Sequence, residues 1–355
     1  MSQPPIIVLT PNLAGRDGVS RLARLVTRSL DNVTVIALHE PATLTAFDRA
    51  DVRGGDGRTS RFVAAALRAA AGADAHTVVV AVHLHLAPAA LAFTARGASL
   101  TTMLCGVEAW KPLGWMQRAA LDRADRIVAI SAHTRDRFRA ANPAFADRAV
   151  DVCHLGVEDV RAAGVARDPR PTALIVGRMA AEERYKGHDA LLEIWPDVVR
   201  AVPDAVLHVV GDGDDRPRLE QLVAARGLDG SVRFLGRVDD ETLEREYERC
   251  TTFVMPSRDE GFGFVFVEAM RAGRACIASR GAAAEIIDDG VSGLLVDPAD
   301  RDRLTRSVVR LLGNPAEADR MGARGRTRFL HDFTEARFRE RFASLIDAPV
   351  PALAE

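Results

Sequence analysis

The stretch Thr252-Phe253-Val254-Met255-Pro256-Ser257-Arg258-Asp259-Glu260-Gly261-Phe262-Gly263-Phe264-Val265-Phe266-Val267-Glu268-Ala269-Met270 decides the fold. The apolar run Thr252 to Met255 reads as a strand, Gly261-Phe262-Gly263 as a turn, and the residues after it as an amphipathic helix. A second apolar run, Ala275 to Ala278, reads as the next strand, so the segment is one strand–helix–strand unit. Gly261 and Gly263 let the backbone approach a ligand closely or take positive φ, and the helix that follows offers unpaired N–H groups to an anion. Glu260 and Glu268, eight positions apart, are separated by about 10 Å at the helical rise. That spacing suits one elongated ligand with polar groups at both ends. For an isolated pair, a loop acid and a helical Glu in salt bridges is the alternative.

The same rhythm extends toward both termini. Strands are expected at Ile6–Leu9, Val33–Leu38, Thr77–Val82, Leu100–Leu104 and Ile127–Ile130, with helices such as Val19–Leu30 between them. It restarts with Thr172–Val176, Ala205–Val210, Ser231–Phe234, Thr252–Met255, Ala275–Ala278 and Gly293–Val296. At 355 residues the chain is too long for one ordinary core. The fold class is therefore α/β, with two doubly wound domains, residues 1–165 and 166–330, and Glu158–Pro171 reads as the linker. Ligands of such sheets bind at the carboxyl ends of strands, and the main cleft is expected between the halves.

Composition bounds the function. Hydrophobic residues make up 48% and charged residues 27%, as in a folded globular protein, while aromatics at 5% offer little for stacking on bases. No nucleic-acid partner is expected. The net charge of −2 is uneven: residues 1–165 hold 19 Lys and Arg against 15 Asp and Glu, leaving 28 against 34 for the remainder. A mildly basic first half is compatible with an anionic acceptor or a membrane surface. Cys105, Cys153, Cys250 and Cys276 have no metal or disulfide spacing, and the N-terminus has no signal-peptide pattern, so a cytoplasmic location is expected. The longest apolar stretch, Thr77 to Ala95, contains His83, His85 and Pro88 and reads as strand, turn and helix rather than a membrane span.

Chemistry gathers at the strand ends of the second half. Gly177-Arg178 follows the strand Thr172–Val176, and Lys186-Gly187-His188 comes shortly after. The chain has only two lysines, Lys111 and Lys186, against 45 arginines, so Lys186 beside a strand-end Arg stands out from background usage. An ammonium and a forked guanidinium together neutralise a diphosphate. Gly211-Asp212-Gly213-Asp214 follows the next strand; Arg216 occupies the place of the third glycine of a dinucleotide fingerprint, and the aspartates read as turn and cap chemistry rather than a metal pair. No metal site is expected. Gly15-Arg16-Asp17-Gly18 opens the first long helix and reads as a second backbone nest for phosphate or sugar.

The order Gly177-Arg178, Lys186-Gly187, Gly211-Asp212-Gly213, Phe234-Leu235-Gly236-Arg237-Val238, Glu260-x7-Glu268 and Gly281-x3-Glu285-Ile286 resembles glycosyltransferase family 4. The resemblance implies the GT-B fold, two Rossmann-like domains facing an interdomain cleft. It also implies retaining transfer of a hexosyl unit from a UDP-, GDP- or ADP-sugar to a hydroxyl of a glycan, lipid-linked or small-molecule acceptor, with no metal or cofactor. It makes Arg178, Lys186 and Glu260 the catalytic groups. Gly18, Gly177, Gly211, Val238, Gly261, Phe262, Gly263, Phe264, Val265 and Glu268 complete the donor site, with Glu268 on the ribose and Val238 beside the base. On the acceptor side it implies His83, His85, Glu108, Trp110 and Lys111, with Cys105 standing where similar enzymes often carry His. Trp110, Trp115 and Met116 beside Lys111 and Arg118 suggest peripheral contact with the inner face of a membrane. The amphipathic pattern Arg326–Ile346 lies mostly in the tail 331–355, which by the same likeness crosses back to brace the first domain. A catalytically silent nucleotide-binding relative and a sugar-nucleotide epimerase are the alternatives; a dehydrogenase is disfavoured by Arg216.

Overall fold

The computed structural model describes residues 4–160 and 165–347. Two compact units share the chain: residues up to Gly156 together with those from Glu335 onward, and Val157–Thr334. In the first unit, strands β1 (Ile6–Thr10), β2 (Val33–Ala37), β3 (Ala46–Phe47), β4 (Ala50–Gly54), β5 (Val78–Ala81), β6 (Ser99–Leu104), β7 (Arg126–Ala129) and β8 (Asp151–Val152) form one sheet. Their order is β3-β4-β2-β1-β5-β6-β7-β8, parallel throughout except where β3 meets β4. Helices α1 (Gly18–Arg28), α2 (Thr59–Ala71), α3 (Ala87–Thr94), α4 (Trp115–Asp122) and α5 (Ala132–Ala141) connect the strands.

The second unit is a wholly parallel sheet of β9 (Thr172–Val176), β10 (Val206–Val210), β11 (Val232–Gly236), β12 (Thr252–Met255), β13 (Ala275–Ser279) and β14 (Gly293–Val296) in the order β11-β10-β9-β12-β13-β14. Its helices are α6 (His188–Ala201), α7 (Arg216–Ala225), α8 (Asp240–Arg249), α9 (Phe264–Arg271), α10 (Arg301–Gly313) and α11 (Pro315–Asp332). The last helix, α12 (Glu335–Asp347), packs on α1 of the first unit with Phe338 and Phe342 fully buried.

Central strands are buried on both faces and so read as unbroken apolar runs: every residue of β1 and of β10 is buried. The strand order of the second unit reverses on either side of β9. Such a switch point opens a crevice at the carboxyl ends of the strands, and the segments after β9, β10 and β12 all leave the sheet there.

The structure departs from the sequence reading in three places. The first is the boundary, which falls after Gly156 rather than at 165. The described part of the expected linker is tied to the second unit: the Glu158 carbonyl accepts from Arg271, Asp159 pairs with Arg326 in two hydrogen bonds, and Arg167 pairs with Asp319. Residues 161–164 of it lie outside the described residues. Secondly, the pattern Arg326–Ile346 is two helices, broken at Phe333-Thr334, where Thr334 bridges Val157. Thirdly, β3, β4 and β8 escape an apolar-run criterion: β3 and β8 are two-residue strands at the sheet edges, and β4, next to the edge, alternates buried and exposed residues and carries Asp51 and Arg53. Residues 348–355 of the expected C-terminal segment lie outside the described residues. Among the described residues no helix is long and apolar enough to cross a membrane.

Candidate functional site

Backbone packing builds the base of the site. The loops after β9 and β10 lie against each other so closely that a Cβ on Gly211 would stand 1.9 Å from the Gly177 carbonyl oxygen, and one on Gly213 would stand 2.2 Å from that of Met179. Gly177 N–H donates to the Val210 carbonyl and Gly211 N–H to that of Gly236, so three strand ends are linked. The aspartates of this loop do turn work: Asp214 accepts from the Ala181 N–H at 2.9 Å and Asp212 from the Gly213 N–H at 3.0 Å.

Lys186 is delivered into this ring by a short 3-10 helix, Ala181–Lys186, which ends on the left-handed Gly187 (φ 93°). Its Nζ lies 3.0 Å from Glu260 Oε1, and both side chains are more than four-fifths buried. Ser257 Oγ lies 3.3 Å from the same oxygen. Burial is the largest single influence and opposes the charge on Lys186, but the Glu260 carboxylate, Tyr185 and Glu183 together outweigh it, and the ammonium holds its proton beyond the ordinary lysine range. Arg178 stands at the same edge, 65% exposed on its side chain, with Glu183 as its partner. His188 is buried next to Lys186; burial, and then the Lys186 charge, pull it down to about 4, so its imidazole is neutral at physiological pH.

The Glu-x7-Glu segment follows β12. Gly263 adopts φ 103° as the N-cap of α9, and a Cβ there would stand 2.5 Å from the Phe266 ring. Only glycine lets the chain enter the helix over that ring. Phe262 and Phe264 meet edge-on at 5.9 Å and turn inward, both buried, while Val265 keeps partial exposure in the first helical turn. Gly261 is half-buried, as is Val238 in the segment after β11. Glu268 is buried in the second turn of α9, and Tyr247 of α8 donates to its Oε2 at 2.8 Å.

In the first unit, five expected residues sit where strands end. His83 follows β5, and its Nδ1 accepts the His85 N–H at 3.2 Å, with the two rings edge-on at 4.9 Å. Neither histidine lies in the strand; His83 is half-buried and His85 exposed. Burial lowers the His83 pKa and His85 adds to that, against Glu108 and Asp17. Glu108 accepts from the Cys105 N–H at 2.6 Å, and the Cys105 thiol donates to the Val82 carbonyl at 3.0 Å. Burial and then Glu108 push that thiol well above its ordinary value, which keeps it protonated and unreactive. Trp110 packs beneath the Arg137 guanidinium at 4.5 Å and against His133, whereas Trp115 is 80% exposed. Trp110 therefore does not share the Trp115–Met116 surface, and Lys111 is exposed beside it. At Gly18 the anion nest meets competition, because the Asp17 carboxylate already takes the Val19 and Ser20 N–H groups at 3.0 Å each.

Residues 170–314 match the family model described as Glycosyl transferases group 1. The match lies within the second of the two units. Curated relatives agree. The alpha-D-kanosaminyltransferase of Streptomyces kanamyceticus is 31% identical over 58% of this chain and 56% of its own length. A GDP-mannose-dependent alpha-(1-6)-phosphatidylinositol monomannoside mannosyltransferase of Mycolicibacterium smegmatis is 32% identical over 60% of this chain and 62% of its own. The chain thus spans about three-fifths of the length of these relatives. Over nearly the whole chain its fold is that of the Anabaena HepE protein solved with UDP and glucose (TM-score 0.78, 18% identity, 96% of this chain and 99% of that one). Sucrose-phosphate synthase of Thermosynechococcus elongatus is equally similar (TM-score 0.78, 20% identity, 96% and 98%). With two parallel-sheet Rossmann-like units, the fold class is GT-B.

Within the matched segment the fold brings together Gly177, Lys186, Gly211 and Glu260. It also reveals groups that no motif singled out. Tyr247, Glu183 and Asp215 touch expected residues or hold their loops: Tyr247 and Asp215 reach residues far along the chain, and Glu183 reaches Arg178 five residues before it. Asp215 accepts from both Arg184 and Arg218, and Arg218 also grips Asp189, which clamps the Lys186 loop to α6 and α7. Hydrogen bonds from Arg218, against the opposing effect of burial, and then those from Arg184, hold the Asp215 carboxyl far below the ordinary carboxylate range. A depressed folded-state pKa adds stability that is complete above the unfolded value of about 3.9 and fades as the pH falls below it. Asp215→Asn is expected to lose about 2 kcal/mol at neutral pH, the scale of a hydrogen-bonded charged group. Denaturant unfolding from pH 7 to about 3 checks this, because the gap to the native protein must narrow with acid. A gap that stays constant rules out the carboxylate charge as its source.

Proposed function

We propose that this protein is a retaining glycosyltransferase that moves a hexosyl unit from a nucleotide-diphosphate sugar to a hydroxyl of a glycan, lipid-linked or small-molecule acceptor, without a metal. The observation that carries the reading is the Lys186–Glu260 pair, 3.0 Å apart and largely buried, at the carboxyl edge of the second sheet. Lys186 and Arg178 neutralise the leaving diphosphate, assisted by the close glycine backbone at Gly177 and Gly211 and by the N-terminus of α9. Glu260 accepts hydrogen bonds from sugar hydroxyls while keeping Lys186 charged. Glu268 receives the ribose, and Val238 lies by the base. The bond from the anomeric carbon to the phosphate oxygen breaks and one to the acceptor oxygen forms on the same face, with the acceptor proton passing to the diphosphate.

His83, His85, Glu108, Trp110 and Lys111 of the first unit serve the acceptor in this reading. The names of the two curated relatives, a kanosaminyl and a mannosyl transferase, support sugar transfer, and the phosphatidylinositol mannoside in the second supports a lipid-linked acceptor. The exposed Trp115 and Met116 fit work at the inner face of a membrane.

Thermal unfolding with a panel of UDP-, GDP- and ADP-sugars, with and without EDTA, tests the reading. One nucleotide class is expected to raise the melting temperature, since a ligand at a hundredfold excess over Kd stabilises by about 2.7 kcal/mol. The shift should survive EDTA and vanish in Lys186→Ala. No shift with any sugar nucleotide would overturn the proposal.

A further inference from the structure

Tyr247 lies outside every motif that suggested the donor site, yet its hydroxyl is bonded to one of the two motif carboxylates. Its side chain is fully buried, and its hydroxyl donates to Glu268 Oε2 at 2.8 Å. The ring cannot swing away. It packs against Phe253 of β12 at 5.7 Å, Phe253 meets Phe266 of α9 edge-on at 5.6 Å, and Phe266 underlies the left-handed Gly263. One aromatic chain therefore runs from the hydroxyl on Glu268 to the glycine turn below Glu260. Glu268 also has charged neighbours, because Glu244 on α8 is held by Arg271 on α9 and its carboxyl is raised by burial first and by Glu268 in part. A buried carboxylate in such a setting needs a directional donor to hold one orientation.

We propose that Tyr247 is a positioning residue that orients Glu268 toward the ribose hydroxyls of the donor and so sets the preference for ribonucleotides over deoxyribonucleotides. The inference rests on the donor-site reading of Glu268. A carboxylate oxygen that receives a fixed phenolic hydrogen bond presents its remaining lone pairs in fixed directions, and a ribose diol is recognised by such directed acceptors. Without the hydroxyl, Oε2 loses the bond that directs it and the ribose gains less from the carboxylate.

The experiment is calorimetric titration of the full chain with UDP, GDP and ADP and with their 2′-deoxy and 3′-deoxy counterparts, for the native protein, Tyr247→Phe, Glu268→Ala and the double variant. The native protein is expected to bind one ribonucleotide about tenfold or more tighter than its deoxy forms, the scale of one hydrogen bond to a charged group. Tyr247→Phe should bring that ratio to within about threefold, mostly through weaker binding of the ribonucleotide, and should change nothing further in the Glu268→Ala background. A general loss of folding would weaken ribo and deoxy forms alike, so the ratio separates positioning from stability. If Tyr247→Phe keeps the native ratio while Glu268→Ala loses it, the positioning role is wrong and the donor-site reading stands. If Glu268→Ala also keeps the ratio, or no nucleotide binds, the reading of Glu268 fails and the inference fails with it. A Tyr247→Phe effect that persists undiminished in the Glu268→Ala background overturns it as well.

Discussion

Lys186→Ala is expected to lower kcat/KM for glycosyl transfer by about 10²–10³-fold, the cost of removing one preorganised donor at the place where negative charge develops. The size of the effect follows from where the ammonium sits. It is largely buried, its stem passes within 3.2 Å of where a Cβ on Gly177 would be, and Glu260 holds its head. A fork-shaped guanidinium does not fit that slot, so Lys186→Arg should rescue little despite keeping the charge. Steady-state kinetics with the donor identified by thermal shift gives the answer, and near-native rates in Lys186→Ala would refute the site. A second readout is independent of activity. Because the chain has two lysines, Lys111 and Lys186, a protein labelled with ¹³C at lysine Cε gives two resonances to titrate. Lys186 should release its proton at higher pH than an ordinary lysine. In Glu260→Gln burial is left with less opposition, and the titration should move down.

What the sequence made legible, and what it did not, follows from the range of the interactions concerned. Strands buried on both faces announce themselves, and the spans Thr172–Val176, Thr252–Met255 and Gly293–Val296 read from apolar runs coincide with β9, β12 and β14. Strands with one face in water do not: Ala50–Gly54 alternates buried and exposed residues and places Asp51 and Arg53 on the exposed face. The loops at the strand ends were legible because glycine is required there for backbone reasons, at Gly211 and Gly263, both at positive φ. The partners of those loops were not. Tyr247 and Glu268 are 21 positions apart, on different helices, and nothing local to either tells of the other. The helix opening at Gly18 is the converse case, where a local pattern suggested an anion nest and an equally local aspartate, Asp17, caps it. Likewise Arg178 was identified by its place after a strand, while its partner Glu183 required the fold.

The second large effect concerns the glycine ring itself. Gly211→Ala is expected to cost about 3–5 kcal/mol, combining the strain of a side chain at positive φ with overpacking that no rotamer relieves. Gly211 has φ 134°, and the obstructing atom is the backbone oxygen of Gly177, 1.9 Å from the new Cβ. Relief requires the β9 and β10 loops to part, which breaks the Gly177–Val210 hydrogen bond and displaces the segment that leads to Arg178 and Lys186. Gly227→Ala is the matched control: it also has positive φ, 65°, but nothing lies within 4 Å of its Cβ. That variant should lose only about 1–2 kcal/mol, the conformational cost alone. Urea unfolding of the two variants isolates the contact, and nucleotide titration of the folded fraction of Gly211→Ala should show binding weakened beyond the loss of folded protein. Equal destabilisation of the two variants would mean that the loops part without cost, and the close approach of Gly177 and Gly211 would then have no part in shaping the diphosphate site.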